Sequence, residues 1–327
     1  MNNYIQTDAI INDEINKNDE HINSSTLLSN SEIQHNYIKC NNSYEEYRMH
    51  YTAYGIQDNS KATILCLHGL NRNSRDWDYL ANYLVSLSYY VIAPDIVGRG
   101  NSDYLNNNHV AYDIPYYVQD IIQLIETLKL TNIHLVGTSM GGLIAINLLS
   151  NNPHYRSICK SLVLNDIGAE VELNGLLRIA SYSSIQESYT SYIDIKNFIL
   201  NISKPYGITN KVVEEHLVIH SICKNANGKY ELKRDVNINK VLEQILYKLN
   251  NNKTNLTLWQ EWQALNNLAT LVIRGEHSDI LTQETIERMQ KINTNTLSIT
   301  IKNTAHAPYL YRLIDILPII NFIEYNN

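Results

Sequence analysis

The sequence has few cysteines, and they do not lie close together. Cys40, Cys66, Cys159 and Cys223 are its four cysteines, and they share no close spacing. A zinc site or a framework of disulfide bonds needs cysteines at short, recurring separations, so the sequence predicts neither. Reduced thiols of this kind are typical of a cytoplasmic protein.

Long hydrophobic runs and clusters of basic residues are also absent. No apolar stretch approaches the roughly 18 residues that cross a bilayer, and the acidic first thirty residues contain no secretory signal. The net charge is −7 and the 26 Lys and Arg residues form no run. A surface that follows nucleic-acid phosphates is therefore not expected. We predict a cytoplasmic location, no membrane span and no nucleic-acid partner.

The composition that is present suits a large globular domain. The chain has 327 residues, of which 44% are hydrophobic and 18% are charged. This length fits one α/β domain, or a core domain with an insertion. Residues 1–35 differ from the rest, since they are polar, acidic and rich in asparagine. Such a segment buries too little apolar surface to offset its chain entropy, so we predict a disordered tail.

Buried strands alternate with amphipathic helices along most of the chain. Helical spacing of apolar residues separates several of the strands, and residues 47–54 alternate in the manner of an edge strand. This order predicts a mostly parallel sheet with helices on both faces, whose ligands bind beyond the carboxyl ends of the strands. The continuous apolar runs are 62–67, 89–94, 133–137, 161–165, 269–274 and 296–301, and the helical patterns between them are 76–87, 115–128 and 141–150.

The alternation is interrupted once, between residues 170 and 264. This segment contains helical patterns and no convincing buried strand, and the strand pattern resumes at residue 269. We interpret it as a helical insertion that forms a lid over the site. The predicted organisation is a tail (1–35), a first part of the core (36–169), the lid (170–264) and a second part of the core (265–327).

The pentapeptide Gly137-Thr138-Ser139-Met140-Gly141 matches the nucleophile elbow G-x-S-x-G. It directly follows a predicted strand and opens a predicted helix, which is the context that the motif requires. On so tight a turn the backbone at the serine is strained, and small residues on either side let the strand and the helix approach each other. The serine hydroxyl is thereby exposed as a candidate nucleophile. The alternative is a serine that only caps a helix.

A serine nucleophile needs a base, and the base needs a carboxylate that orients it. His306 is the predicted base because it lies in the loop after the last predicted strand, and His277 is its rival. Asp279 follows the fifth buried strand and is the predicted acid. Asp166, at the end of the preceding strand, is the alternative acid. The resulting order of serine, acid and histidine is that of α/β-hydrolases.

Two backbone amides should stabilise the oxyanion that forms when the serine attacks a carbonyl group. One is the amide of Met140, directly after the serine, at the start of a helix. The other is predicted at Leu70, after the first buried strand, where Gly69 lets the backbone turn inward. Since nucleophile, base and electrostatic stabilisation all come from the chain, no metal or organic cofactor is implied.

Together these features resemble the α/β-hydrolase superfamily, in its lidded serine-hydrolase form known from bacteria. The resemblance runs from about Tyr47 to the C-terminus. It implies a mostly parallel central sheet, helices on both faces and a helical lid. Residues 95–102 resemble a structural loop of the superfamily, to which we assign no chemistry. The residues that carry the resemblance are His68-Gly69, 95–102, 137–142, Asp279 and His306.

Departures from related enzymes narrow the expected reaction. A serine at 139 disfavours dehalogenases and epoxide hydrolases, which use aspartate there, and Ala307 replaces the aromatic residue usual in carbon–carbon hydrolases. Prolyl aminopeptidases usually have tryptophan where Met140 stands. We predict cleavage of a small carboxylic ester, lactone or thioester through an acyl-enzyme on Ser139, with a small-molecule acyl substrate. The alternatives are a carbon–carbon or amide bond hydrolase on the same fold, or a catalytically silent binding protein.

Overall fold

A central sheet of eight strands organises the molecule. The computed structural model describes residues 33–57, 61–106, 109–183, 185 and 188–327. The strands of this part of the chain are β1 (Ile33–Asn41), β2 (Glu46–Tyr54), β3 (Thr63–Leu67), β4 (Val91–Pro94), β5 (Ile133–Thr138), β6 (Cys159–Asn165), β7 (Glu170–Val171), β8 (Ile222–Lys224), β9 (Tyr230–Leu232), β10 (Leu256–Thr257), β11 (Thr270–Gly275) and β12 (Thr296–Ile301). The order in the central sheet is β1-β2-β4-β3-β5-β6-β11-β12.

The six strands from β4 to β12 in this sheet order are parallel, and they are the six that the apolar runs predict. β1 pairs antiparallel with β2, and β2 pairs antiparallel with β4. All the following pairs in the sheet order, from β4–β3 to β11–β12, are parallel. Every residue of β3 and of β4 is buried. A strand covered on both faces must be apolar throughout, which explains why these runs do not alternate.

The sequence-based prediction at the antiparallel edge is wrong. β2 coincides with the predicted edge strand at 47–54, but β1 pairs along its full length and forms the edge instead. β1 was missed because only its second half alternates, with Ile38 and Cys40 buried between exposed neighbours. It begins at Ile33, so the predicted tail 1–35 extends too far by three residues. Residues 1–32 lie outside the described residues.

Helices cover both faces of the sheet and create two hydrophobic cores. Leu65 and Leu67 of β3 pack into one core, and Ile64 and Cys66 pack into the other. The helices at 78–86, 114–127 and 140–151 confirm the three patterns predicted between the strands. The helices are α1 (Asp78–Ser86), α2 (Ile114–Thr127), α3 (Met140–Asn151), α4 (Pro153–Ile158), α5 (Leu173–Ser183), α6 (Tyr192–Ile202), α7 (Lys211–Ser221), α8 (Ile238–Asn252), α9 (Trp259–Ala264), α10 (Gln283–Ile292) and α11 (Leu313–Tyr325).

Helices α5 to α9 lie between β6 and β11, in the segment predicted as an insertion. The described part of this segment also contains two short antiparallel pairs that the helical periodicity did not predict. β8 and β9 form a hairpin that directly follows α7, which ends at Ser221. β7 pairs with β10, with Val171 opposite Leu256, and this pair joins the beginning of the segment to its end. None of the described helices is long and apolar enough to cross a membrane.

A buried carboxyl group lies where α2 packs on the antiparallel edge of the sheet. Asp120 of α2 is fully buried and accepts a hydrogen bond from the Tyr47 hydroxyl of β2. Its other carboxylate oxygen has no hydrogen-bond partner among the described residues. Burial raises the pKa of Asp120 to about 7, because the ionised form would lose its hydration.

We predict that Asp120 makes the stability of the protein depend on pH. The unfolded chain ionises this group near its ordinary pKa of 3.8, whereas the folded chain keeps the proton up to about pH 7. The free energy of unfolding should therefore fall as the pH rises through this interval, by an amount on the order of a few kcal/mol. Asp120→Asn cannot ionise, so its stability relative to the wild type should increase from pH 5 to pH 8 in urea unfolding. Asp194→Asn, at an exposed site on α6, is the control, and a pH-independent difference for Asp120→Asn would contradict the prediction.

Candidate active site

Ser139 lies at a sharp turn between β5 and α3, above the carboxyl end of the sheet. Its backbone angles are φ 52° and ψ −115°, in the region that side chains other than glycine rarely adopt. The strained turn is held from both sides. The Ser139 amide donates to the carbonyl oxygen of Asn165 (3.0 Å), and the Gly142 amide donates to the Ser139 carbonyl oxygen (2.9 Å).

Two glycines make the close approach at this turn possible, as the motif predicts. A Cβ atom on Gly137 would lie 2.5 Å from the amide nitrogen of Gly142, and one on Gly141 would lie 2.0 Å from the carbonyl oxygen of Leu67. Both neighbours are backbone atoms, which cannot move aside without shifting a strand or a helix. The start of α3 therefore packs directly against the ends of β5 and β3, and Ser139 is held at that junction.

His306 connects Ser139 to a carboxylate through its two ring nitrogens. Its Nε2 atom lies 2.9 Å from the Ser139 Oγ atom, and its Nδ1 atom lies 2.8 Å from Asp166 Oδ2. An ionised carboxylate can only accept a hydrogen bond, so the proton belongs on Nδ1. Nε2 is then free to accept the serine proton. His277, the rival base, has an exposed side chain that lies 3.6 Å from Glu276.

The Asp166 carboxylate is fixed by two further donors besides His306. Asp166 follows the last residue of β6 and is completely buried. Its Oδ1 atom accepts a hydrogen bond from the Gly275 amide (2.7 Å), and its Oδ2 atom accepts one from the Ser278 hydroxyl (2.7 Å). Both donors belong to the end of β11 and the loop that follows it. The alternative acid of the sequence analysis is thus the one that contacts His306.

Asp279, the acid that the sequence analysis favoured, lies against a different partner. Its carboxylate forms a two-point ion pair with Arg178 of α5, with distances of 2.5 Å (Nε–Oδ2) and 2.7 Å (Nη2–Oδ1). Partial burial acts to raise the pKa of Asp279, but the hydrogen bonds and charge of Arg178 outweigh it and lower the pKa. Because β6 and β11 are adjacent parallel strands, either following loop can reach His306. Ser278, not Asp279, is the residue of the second loop that contacts Asp166.

The two amides predicted to stabilise an oxyanion lie beside Ser139. Met140 is the first residue of α3, and Gly69, next to Leu70, is so close that a Cβ atom on it would lie 3.8 Å from the Ser139 Cβ atom. No hydrogen-bond acceptor for the amide of Leu70 or of Met140 lies among the described residues. Two free donors next to the serine could bind a negatively charged oxygen atom.

Two cavities of different size meet at Ser139. The smaller has a volume of about 60 Å³ and is lined by His306, and the larger has a volume of about 370 Å³ and is lined by Met140. Leu70, Ser139 and Ile179 line both cavities. Since Ile179 belongs to α5, the segment between β6 and β11 contributes directly to the space around the serine.

An ion pair lies in the wall of the smaller cavity. The Arg72 guanidinium donates to Asp76 with distances of 2.8 Å (Nε–Oδ2) and 2.5 Å (Nη2–Oδ1), and it donates to the Ser221 hydroxyl at 2.7 Å. All the charge of the arginine is thus balanced by a carboxylate within the wall. This cavity offers polar groups without a net charge.

One cluster in the described part of the chain has the donor set of a metal site. The ligand atoms of Asp78, His216 and His220 lie within 4.8 Å of one another. However, the Asp78 carboxylate already accepts hydrogen bonds from Arg75 (2.6 Å to Oδ2) and from the Tyr54 hydroxyl (2.7 Å to Oδ1). A guanidinium at that distance repels a cation, so we assign no metal to this cluster.

Comparisons with known proteins support the fold described above. Residues 62–313 match the family model of the α/β-hydrolase fold. The chain belongs to this family. It is 29% identical over 276 residues to the 3-hydroxybutyrate-oligomer hydrolase of Cupriavidus necator, a match that covers 83% of this chain and 91% of that protein. The superfamily resemblance and the predicted fold, a mostly parallel central sheet with helices on both faces, are therefore confirmed.

Solved structures of the same family superpose over most of the chain. A protein from Rickettsia typhi is 30% identical, with a TM-score of 0.80 over 90% of this chain and 100% of that one. An α/β-hydrolase from Novosphingobium aromaticivorans is 26% identical, with a TM-score of 0.74 over 90% of this chain and 98% of that one. The segment between β6 and β11 lies within the extent of the family match.

Proposed function

We propose that the protein is a serine hydrolase that cleaves a small carboxylic ester, lactone or thioester through an acyl-enzyme on Ser139. The observation that carries this proposal is the unbroken chain of hydrogen bonds from Ser139 through His306 to Asp166. The free amides of Leu70 and Met140 beside the serine supply the second requirement of acyl transfer. The similarity to a 3-hydroxybutyrate-oligomer hydrolase supports an ester as the bond that is cleaved.

In the first half of the reaction, Ser139 becomes acylated. The Oγ atom forms a bond to the carbonyl carbon of the ester while His306 Nε2 takes the hydroxyl proton. The electron pair of the carbonyl group moves to its oxygen, which accepts hydrogen bonds from the amides of Leu70 and Met140. When this pair returns, the bond to the leaving oxygen breaks, and that oxygen takes the proton from His306 Nε2.

Water completes the cycle by the same steps. His306 Nε2 takes a proton from the water as its oxygen attacks the acyl carbon, and the bond to Ser139 Oγ then breaks with return of the proton to the serine. Asp166 forms no bond to the substrate. It holds the imidazole with Nδ1 toward the carboxylate and stabilises the positive charge that develops on the ring.

The segment between β6 and β11 acts as a lid in this proposal. Its residues Ile179, Tyr182 and Tyr206 line the smaller cavity next to His306. Ser139, Asp166 and His306 all lie outside residues 170–264, the part of the segment that was predicted as the lid. The lid therefore shapes the space for the substrate and supplies no group that reacts. A cleft between a core and an insertion is a common place for a small-molecule site.

Labelling of Ser139 is the first test of this function. A fluorophosphonate probe should modify the wild type on Ser139, because the reagent requires a serine activated by a base. Ser139→Ala should lose both the label and the hydrolysis of chromogenic esters. Ser150→Ala, near the other end of α3, is the matched control and should retain both. A folded wild-type protein that remained unlabelled would favour the binding-protein alternative.

The identity of the acid is tested by two matched substitutions. We expect Asp166→Asn to lower kcat/KM by about four orders of magnitude, because an amide no longer holds the imidazole in the productive tautomer. Asp279→Asn should lower it by less than about tenfold, since its partner is Arg178 rather than His306. Steady-state kinetics on one ester with both variants decides between them. A larger loss for Asp279→Asn would return the role to that residue.

A further inference from the structure

The position of His306 distinguishes the two cavities that meet at Ser139. His306 lines the smaller cavity and is not part of the wall of the larger one. In acyl transfer the base must transfer its proton to the leaving oxygen. The leaving group therefore lies on the side of Ser139 that faces His306. The acyl group must then extend to the other side, past Met140, into the larger cavity.

Most of the wall of this larger cavity is apolar. It is formed by the first turns of α2, by α3, by α5 and α8 of the lid, and by β10 with the residue that follows it. With a volume of about 370 Å³ it falls in the size range of small-molecule sites. Among its apolar residues are Ile114, Leu143, Leu176, Val241, Leu242 and Ile245.

Three polar side chains of this wall form hydrogen bonds within the protein. The Tyr112 hydroxyl donates to Asp235 (2.6 Å), and the Tyr117 hydroxyl accepts from Arg99 (2.7 Å). The Asn147 amide donates to a carbonyl oxygen of its own helix (2.9 Å). Because the Tyr112 hydroxyl also accepts a hydrogen bond from the Leu105 amide (2.8 Å), a polar substituent next to Tyr112 would lose its hydration without gaining a hydrogen bond from it, which is unfavourable.

Two other polar residues of the wall lie toward solvent. Thr257 is exposed and Glu261 is partly exposed, and both belong to the wall of the larger cavity. Asp113 caps the start of α2, where its carboxylate accepts a hydrogen bond from the Ile114 amide (2.8 Å). The two carboxylates of the wall, Asp113 and Glu261, are thus both partly exposed, and most of the other residues of the wall are apolar.

We propose that the substrates are esters of an apolar acyl chain of medium length with a small, uncharged leaving group. This inference rests on the proposed function and specifies its substrate. The acyl chain fills the larger cavity, where the removal of each methylene group from water favours binding. The leaving group occupies the cavity of about 60 Å³, whose Arg72–Asp76 pair is electrically neutral. By this reasoning a 3-hydroxybutyrate oligomer, with an ester group in every repeat, is a poorer substrate than an alkanoate.

The test compares two methyl esters whose acyl chains have the same number of chain atoms. One is methyl octanoate and the other is the methyl ester of the linear 3-hydroxybutyrate dimer, with release of methanol measured for both. We expect kcat/KM to be at least tenfold higher for the octanoate, and to rise from acetate to octanoate along a series of methyl alkanoates. Preference for the dimer, cleavage of its internal ester bond, or an optimum at acetate would overturn the inference.

A pair of substitutions on α8 tests the location of the acyl chain. Ile245→Trp fills part of the larger cavity and should lower kcat/KM for octanoate by at least tenfold while changing that for acetate less than threefold. Glu243→Trp places the same side chain on the exposed side of the same helix and should change neither. Equal effects on both esters in Ile245→Trp would contradict the assignment. Labelling of Ser139 separates the proposed function from the inference about its substrate. If Ser139 is labelled but the preference for long acyl chains is absent, the function stands and only the inference fails.

A second, independent observation concerns Arg99, in the loop 95–102 to which the sequence analysis assigned no chemistry. Its guanidinium is fully buried and contacts both residues whose amides lie beside Ser139. Nε donates to the Leu70 carbonyl oxygen (3.0 Å), and Nη2 lies 3.6 Å from the Met140 sulfur. The other hydrogen-bond acceptors of its guanidinium are the Val97 carbonyl oxygen (2.8 Å) and the Tyr117 hydroxyl (2.7 Å). None of these acceptors is a carboxylate.

We infer that Arg99 is a positioning residue for the oxyanion site. The amide of Leu70 comes from the loop after β3 and that of Met140 from the start of α3, and Arg99 bridges the two. A rigid, planar guanidinium can hold a carbonyl oxygen and a neighbouring hydroxyl at fixed angles. The two amides can then converge on one oxygen atom without reorganisation during the reaction, which is what makes such donors effective.

Arg99→Lys keeps the positive charge but removes the planar guanidinium with its several N–H donors, so it tests the positioning role of Arg99. We expect kcat/KM to fall at least tenfold, and the affinity for a trifluoromethyl ketone, which mimics the oxyanion, to fall in proportion. The affinity for an intact ester, measured in the Ser139→Ala background, should change less than threefold. If Arg99→Lys fails to fold, Tyr117→Phe is the second variant, because it removes one acceptor of the guanidinium. It should lower kcat/KM and the affinity for the ketone by smaller factors and leave the affinity for the intact ester unchanged. A folded variant with a lower melting temperature but unchanged kcat/KM and inhibitor affinity would overturn the proposal.

Discussion

The site depends on the close contact between the start of α3 and the ends of two strands. Gly141 packs against the Leu67 carbonyl oxygen and Gly137 packs against the backbone of α3, at distances that leave no room for a Cβ atom. This packing forces Ser139 into a strained conformation that an isolated turn would not keep. The strain has a direct consequence for chemistry. The serine side chain faces away from the sheet, and the first amide of α3 is left without an acceptor within the helix.

The same part of the sheet explains which site residues could be predicted from the sequence. The structure brings together Ser139 and His306, which a motif and a chain order mark in the sequence. The six parallel strands were found because their apolar runs are continuous. The acid could not be chosen in this way, because Asp166 and Asp279 follow adjacent strands. The choice depends on how the second loop folds: the Gly275 amide and the Ser278 hydroxyl both point at Asp166. The strands β1, β8 and β9 were missed for a similar reason, since their formation depends on pairing with partners rather than on their own pattern.

The loop 95–102 shows how a segment without reacting groups can still support a site. Asp95 at its start is fully buried, and its carboxylate accepts hydrogen bonds from the Ser74 amide (2.6 Å) and the Asn101 amide (2.8 Å). Gly100 lies so close to this carboxylate that a Cβ atom would be 2.2 Å from it, and its φ angle is +56°. The compact loop that results directs Arg99 inward, toward Leu70 and Met140. The sequence shows only a resemblance of this loop to a structural loop, whereas the folded arrangement shows that its buried arginine contacts Leu70 and Met140.

Asp279 acquires a different significance once it is not the partner of His306. Its ion pair with Arg178 joins α5, in the segment that was predicted as a lid, to the loop after β11. A Cβ atom on Gly175 of the same helix would lie 2.4 Å from the Asp279 carbonyl oxygen. α5 is thus fixed to the core at the loop that also holds Asp166. Because Ile179 of α5 lines both cavities, the position of this helix determines the space available on each side of Ser139. Loss of the Asp279 carboxylate should consequently change the relative kcat/KM for different substrates more than the rate of the chemical step. The two carboxylates would then have different functions although they lie in neighbouring loops.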